Sequence, residues 1–151
     1  MILIKNGRII DPETKKDEIL DILIKDNIIY KIEKNIKLSE AVTIIDATGY
    51  VVSPGLIDVH VHFRDPGFTY KENIKTGSNA AARGGFTTVV CMANTNPVVD
   101  NEDTLQYIKD ECKKAKINIL QTASITKGLK GKEIVDMKKL IAYGAVGFTD
   151  D

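Results

Sequence analysis

Asp58, His60 and His62 alternate with Val59, Val61 and Phe63 in the run Pro54-Gly55-Leu56-Ile57-Asp58-Val59-His60-Val61-His62-Phe63-Arg64-Asp65-Pro66-Gly67. Successive side chains of a strand point to opposite faces, so the acid and both imidazoles would share one face and the apolar residues would enter a second layer. Two imidazoles then converge on one point. Zinc held by three or four nitrogen and oxygen ligands with an open position activates water, and a histidine pair on one strand face is a simple way to supply two of those ligands. Arg64 has the same parity. A guanidinium just past the metal ligands can grip a carboxylate through two hydrogen bonds. The chemistry expected is metal-assisted hydrolysis of a substrate that carries an acid beside the bond to be cut.

A bare His-x-His on a strand is more often a hydrogen-bonded pair than a metal site, but the surrounding motifs reverse that balance. The Pro-Gly-Leu-Ile-Asp-x-His-x-His segment resembles the first barrel strand of the amidohydrolase superfamily, and the continuation Phe63-Arg64-Asp65-Pro66-Gly67 is similar to the dihydroorotase family. A second block, Met92-Ala93-Asn94-Thr95-Asn96-Pro97, resembles that family's Met-Pro-Asn-Thr-x-Pro signature, with Ala93 in place of the usual proline. A third, Gly147-Phe148-Thr149-Asp150-Asp151, is similar to the start of its Phe-Ser/Thr-Asp-Asp-Gly element. The blocks occur in the family's order.

The elements that must position these residues follow from the pattern of the chain. Up to about residue 52 it is dense in short β-branched runs such as Ile2-Leu3-Ile4 and Ile22-Leu23-Ile24, broken by the turn dipeptides Asn6-Gly7 and Asp26-Asn27, which reads as hairpins in a small sheet. From Leu56 strands and helices alternate, which predicts βαβ units and a parallel sheet. Strand one is expected over 56–62, a helix over 74–83 behind a Thr69-to-Glu72 capping box, and strand two over 86–92. A helix capped by Asp100 should run to Ala115, then strand three over 117–123, a basic flexible loop over 126–132, a helix over 133–143 and strand four over 145–148. In a (β/α)8 barrel the strand C-termini open onto the face where active sites occur, and His60, His62, Asn94, Asp150 and Asp151 all fall there.

The resemblance implies an α/β fold: a β-rich arm, part of a small β-sandwich, over 1–52, and the first four β/α units of a TIM-type barrel over 53–151. It implies a dihydroorotase, which cyclises N-carbamoyl-L-aspartate reversibly to L-dihydroorotate in pyrimidine synthesis, with one or two zinc ions per subunit. His60, His62 and Asp151 are its expected metal ligands, with Asp151 preferred over Asp150, and His62, Arg64 and Asn94 its substrate-binding residues. Asp58 is expected to lie deeper, supporting the ligands. An allantoinase or hydantoinase is the nearest alternative, although those enzymes usually carry lysine at the Asp150-Asp151 position and lack the arginine. A non-catalytic homologue that assembles with aspartate carbamoyltransferase is a second, and a homo-oligomer is a further expectation.

Only two histidines are present, and the family's other metal histidines and catalytic aspartate come from later strands. A barrel of this type takes about 250 residues. The expectation is therefore an N-terminal part whose C-terminal half lies outside this chain, with no catalytic acid-base residue of its own. The 151 residues are 43% hydrophobic and carry no net charge, which argues against nucleic acid as a partner. Two cysteines are too few for a disulfide framework, and neither a signal peptide nor a membrane span is recognisable, so a soluble cytoplasmic protein is expected.

Overall fold

The computed structural model describes residues 1–37 and 42–151, which divide into two units, Met1–Pro54 and Gly55–Asp151.

The first unit is a mixed five-stranded sheet. β1 (Ile2–Asp11) pairs antiparallel with β2 (Lys16–Lys25) on one side, and parallel with β4 (Thr43–Asp46) and β5 (Val51–Val52) on the other, while β3 (Ile28–Glu33) pairs antiparallel with β2. The β2–β3 turn is the expected Asp26-Asn27, whose φ angles of 52° and 61° match the two left-handed positions of a tight hairpin. Asn6-Gly7 is no turn. The chain runs straight through it as a β-bulge, because the Asn6 N–H is taken by the buried Asp21 carboxylate at 2.9 Å and Gly7 lies so close to Val52 that a Cβ would sit 2.7 Å from its Cγ2. Asp21 also accepts the Ile36 N–H at 3.0 Å. Leu3, Leu23 and Ile36 form one small core, and Ile9, Leu20 and Ile22 another.

The second unit is a parallel sheet in the order β6-β7-β8-β9, made of β6 (Leu56–Val61), β7 (Phe86–Cys91), β8 (Asn118–Ala123) and β9 (Ala145–Phe148). Between them run α1 (Ile74–Arg83), α2 (Glu102–Cys112) and α3 (Met137–Ala142). Their apolar faces pack with the sheet into one core built on Phe63, Ile74, Val89, Leu105, Ile108 and Leu140. No helix among the described residues is long and apolar enough to cross a membrane.

Three local expectations are corrected. α1 is capped by Asn73, whose side chain accepts the Thr76 N–H at 2.9 Å, not by Thr69; α2 is capped by Asn101, not Asp100. Asp100 reaches elsewhere and accepts the Gly128 N–H at 2.8 Å. Residues 133–135 are not helical, because they pair with 125–127: Lys127 N–H donates to the Glu133 carbonyl at 2.8 Å and Val135 N–H to that of Ile125 at 3.0 Å. The intervening basic segment is tied down by those bonds, by Asp100 and by a short 3-10 turn over Lys127–Leu129.

A candidate metal centre at the strand C-termini

β6 delivers His60 one residue before its end and His62 just after it. The register against β7 shifts between Asp58 and Val61, so strict alternation fails there: Val61 and Phe63 pack on the core, whereas Val59 is exposed. The histidines nevertheless meet, with ring centroids 5.2 Å apart. Asp58 stays on its own strand, where it accepts the His60 N–H at 3.0 Å.

β9 ends beside β8, the Thr149 N–H bonding the Ala123 carbonyl at 3.0 Å. The next two acids then part. Asp150 accepts hydrogen bonds from Ile125 N at 2.8 Å, Thr126 N at 3.0 Å and Thr126 Oγ1 at 2.6 Å, and the Thr126 hydroxyl above all holds its carboxyl below the usual range. Asp151 faces the histidines instead. Its Oδ1 lies 3.5 Å from His60 Nε2 and its Oδ2 3.5 Å from His62 Nε2. One ligand atom from each of the three residues falls within 4.8 Å of the others. Two imidazole nitrogens and a carboxylate oxygen are a donor set that could hold a metal ion.

β7 carries the chain through buried Met92 and Ala93 to Asn94. Asn94 Oδ1 is 3.0 Å from His62 Nδ1, and its Nδ2 donates to Asp151 Oδ2 at 3.3 Å. The Asn96 N–H donates to the Pro66 carbonyl at 3.0 Å, which ties the loop after β7 to the loop after β6. The contact needs a glycine. Gly67 has φ 92°, and a Cβ there would lie 2.0 Å from the Asn96 carbonyl oxygen. Arg64 departs from the strand-parity argument, since β6 has ended at Val61 and the Arg64 backbone turns to φ 60°. Its side chain is half-buried on the same loop and, among the described residues, has no carboxylate partner.

The structure thus brings His60, His62, Asn94 and Asp151 together and puts Asp150 to other use. Thr126 was not singled out from the sequence. Its only signal was its place just after a strand C-terminus, and it holds Asp150 while its Oγ1 accepts the Gly131 N–H at 2.9 Å.

Residues 49–151 match the family described as Dihydro-orotase-like. The chain belongs to the dihydro-orotase-like family. It is 65% identical over all 151 residues to a protein of Clostridioides difficile (strain 630) named dihydroorotase, and 58% and 54% identical over the same length to proteins of that name from Clostridium acetobutylicum and Streptococcus pneumoniae serotype 4. It spans 36% of the length of each of these dihydroorotases. Among solved structures it resembles the L-hydantoinase (dihydropyrimidinase) of Arthrobacter aurescens, with a TM-score of 0.84 and 29% identity, covering 97% of this chain and 32% of that one. A solved dihydroorotase at 19% identity shares the fold, with a TM-score of 0.70 over 98% of this chain and 42% of that one.

Proposed function

We propose that this chain is the N-terminal part of a zinc-dependent dihydroorotase, its residues 1–52 an arm of a β-sandwich and 53–151 the first four β/α units of an eight-unit barrel. The reaction is reversible ring closure of N-carbamoyl-L-aspartate to L-dihydroorotate in pyrimidine synthesis. The observation that carries this reading is the convergence of His60, His62 and Asp151 within 4.8 Å, in a chain 52–65% identical to proteins named dihydroorotase. When bound, one or two zinc ions would lower the pKa of a water to about 7 and polarise the ring carbonyl.

The residues of this chain do the holding. His60 and His62 present Nε2, and Asp151 its carboxylate, to the metal. Arg64, which has no carboxylate partner among the described residues, grips the substrate's acid through its guanidinium fork. Asn94 has a second amide N–H free for the same acid once the first is on Asp151, and His62 forms the wall of the site beside it. The acid-base group comes from a later strand. Two unpaired cysteines accord with a cytoplasmic location. A second copy, or aspartate carbamoyltransferase, is the partner this reading allows.

The hydantoinase alternative has the same fold behind it, but the higher identity to dihydroorotases and the presence of Arg64 and Asp151 favour the first reading. The test is a chimaera in which this chain replaces the matching residues of the Clostridioides difficile relative. It should contain zinc and turn over dihydroorotate in preference to hydantoin, and His60→Ala with His62→Ala should remove both metal and turnover. Unchanged zinc in the double variant would sink the assignment.

A further inference from the structure

Asn94 bridges two side chains that the reading above gives to the metal, and its two ends can be told apart. A carboxylate only accepts hydrogen bonds, so the end 3.3 Å from Asp151 must be the amide nitrogen. The amide oxygen therefore faces His62 at 3.0 Å, and His62 Nδ1 must carry the ring hydrogen. In the neutral imidazole that leaves Nε2, the atom turned toward Asp151, with its lone pair outward.

Resting on that metal-site reading, we infer that Asn94 is a positioning residue for the metal ligands: it selects the Nε2-ligating tautomer of His62 and orients the Asp151 carboxylate, in addition to any contact with substrate. The partner that holds the second nitrogen of a ligating histidine fixes its tautomer and ring orientation. Asn94 is itself well placed to act as a fixed point. The carbonyl of its neighbour Ala93, which is buried, accepts the Thr95 and Val99 N–H groups at 2.9 and 3.1 Å, and Thr95 Oγ1 donates to the Pro97 carbonyl at 2.7 Å. His62 and Asp151, by contrast, sit just past the ends of separate strands. His60 has no such partner on its ring among the described residues, and its only orienting bond is the one its backbone makes to Asp58. The effect should therefore be specific to His62.

The experiment titrates the 151-residue chain with zinc against a chromophoric chelator, and reads the His62 ring by proton–nitrogen correlation in metal-free protein with both imidazoles neutral. Wild type should show hydrogen on Nδ1. Asn94→Ala should relax His62 to a mixture of tautomers and weaken zinc binding by about 10- to 100-fold. Asn94→Leu, close to asparagine in size but with no polar atom for Nδ1–H or Asp151, should give the same reading if the alanine variant fails to fold. Unchanged tautomer and zinc affinity within two-fold in Asn94→Ala, with affinity lost in His62→Ala, would overturn the inference and leave the metal site standing. Unchanged affinity in His62→Ala would overturn the site, and the inference with it.

Discussion

Gly67→Ala is the sharpest perturbation the site offers, because two separate costs fall on one methyl group. At φ 92° an alanine bears a left-handed backbone, worth about 1–2 kcal/mol. Its Cβ would also stand 2.0 Å from the Asn96 carbonyl oxygen, a backbone atom that cannot swing aside, and clearing such an overlap typically costs about 1–3 kcal/mol. The two together come to about 2–5 kcal/mol, which at about 4 °C per kcal/mol for a unit of this size lowers the melting temperature by about 8–20 °C. Gly131→Ala supplies the control. Its φ is 64°, but nothing lies within 4 Å of the added methyl, so it should carry the backbone cost alone and fall by about 4–8 °C. The loop after β6 can escape the clash only by withdrawing from the loop that holds Asn94, so zinc affinity should fall in Gly67→Ala and hold in Gly131→Ala. Thermal melts and zinc titrations of both variants decide the matter. Equal melting temperatures, or a Gly67→Ala chain that binds zinc as tightly as wild type, would refute the claim that this contact sets the site.

In the chimaera described above, Arg64→Lys should cut dihydroorotate turnover by about 10- to 100-fold while zinc content is unchanged, since losing a charge-assisted hydrogen bond costs about 1.5–3 kcal/mol. Equal kinetics would remove Arg64 from the site. Burial pushes the Cys91 thiol up to about 12 and that of Cys112 to about 11, so both should resist alkylation at neutral pH until the chain unfolds. A raised thiol pKa stabilises the fold fully below the unfolded value of about 8.5 and loses that contribution as pH rises toward the folded one, so stability should decline between those limits, and less steeply in Cys91→Ala. The 151-residue chain assayed alone with excess zinc should show little turnover, because the proposed site has three ligands among the described residues and, on that reading, takes its acid-base residue from a later strand, a group worth about 10²- to 10⁴-fold in rate. Turnover equal to that of the chimaera would show that the site is complete within these residues.

What was legible in the sequence was whatever depends on near neighbours. α1 begins and ends at Ile74 and Arg83 as its alanine-rich run and paired glycines imply, and β9 occupies Ala145–Phe148, an apolar stretch behind Gly144. Where two residues compete for one task, the pattern does not choose. Asn73 and Thr69, like Asn101 and Asp100, are all capable caps, and the structure uses Asn73 and Asn101 while Asp100 is taken up by the Gly128 N–H. Long-range pairing is less visible still. Asn6-Gly7 has strong turn chemistry, yet β1 continues through it because Asp21 on the neighbouring strand satisfies the freed N–H. Residues 133–135 leave the helix because 125–127 offer them partners. His60 and His62 meet although the register shift between Asp58 and Val61 breaks strict alternation, and parity does not reach Arg64, which stands beyond the last residue of β6.

The Asp150-Asp151 pair shows how a site is assembled from that division. As letters the two acids are equivalent, and either could face a metal. Their surroundings separate them: with the Thr149 N–H bonded to Ala123, the Asp150 side chain turns back over the β8 end and that of Asp151 reaches across toward β6. The place over β8 is lined by donors, two backbone N–H groups and the Thr126 hydroxyl, so Asp150 spends its lone pairs on structure. Asp151 meets a different set. Its neighbours are two imidazole Nε2 atoms and one amide, which leave its carboxylate free to bind a cation. The first acid thereby anchors the strand end that carries the second, and in the proposed site the adjacency of the two becomes a mechanical requirement: an anchor placed further away would leave Asp151 on a freer stretch of chain, with more conformational entropy to lose on binding a metal.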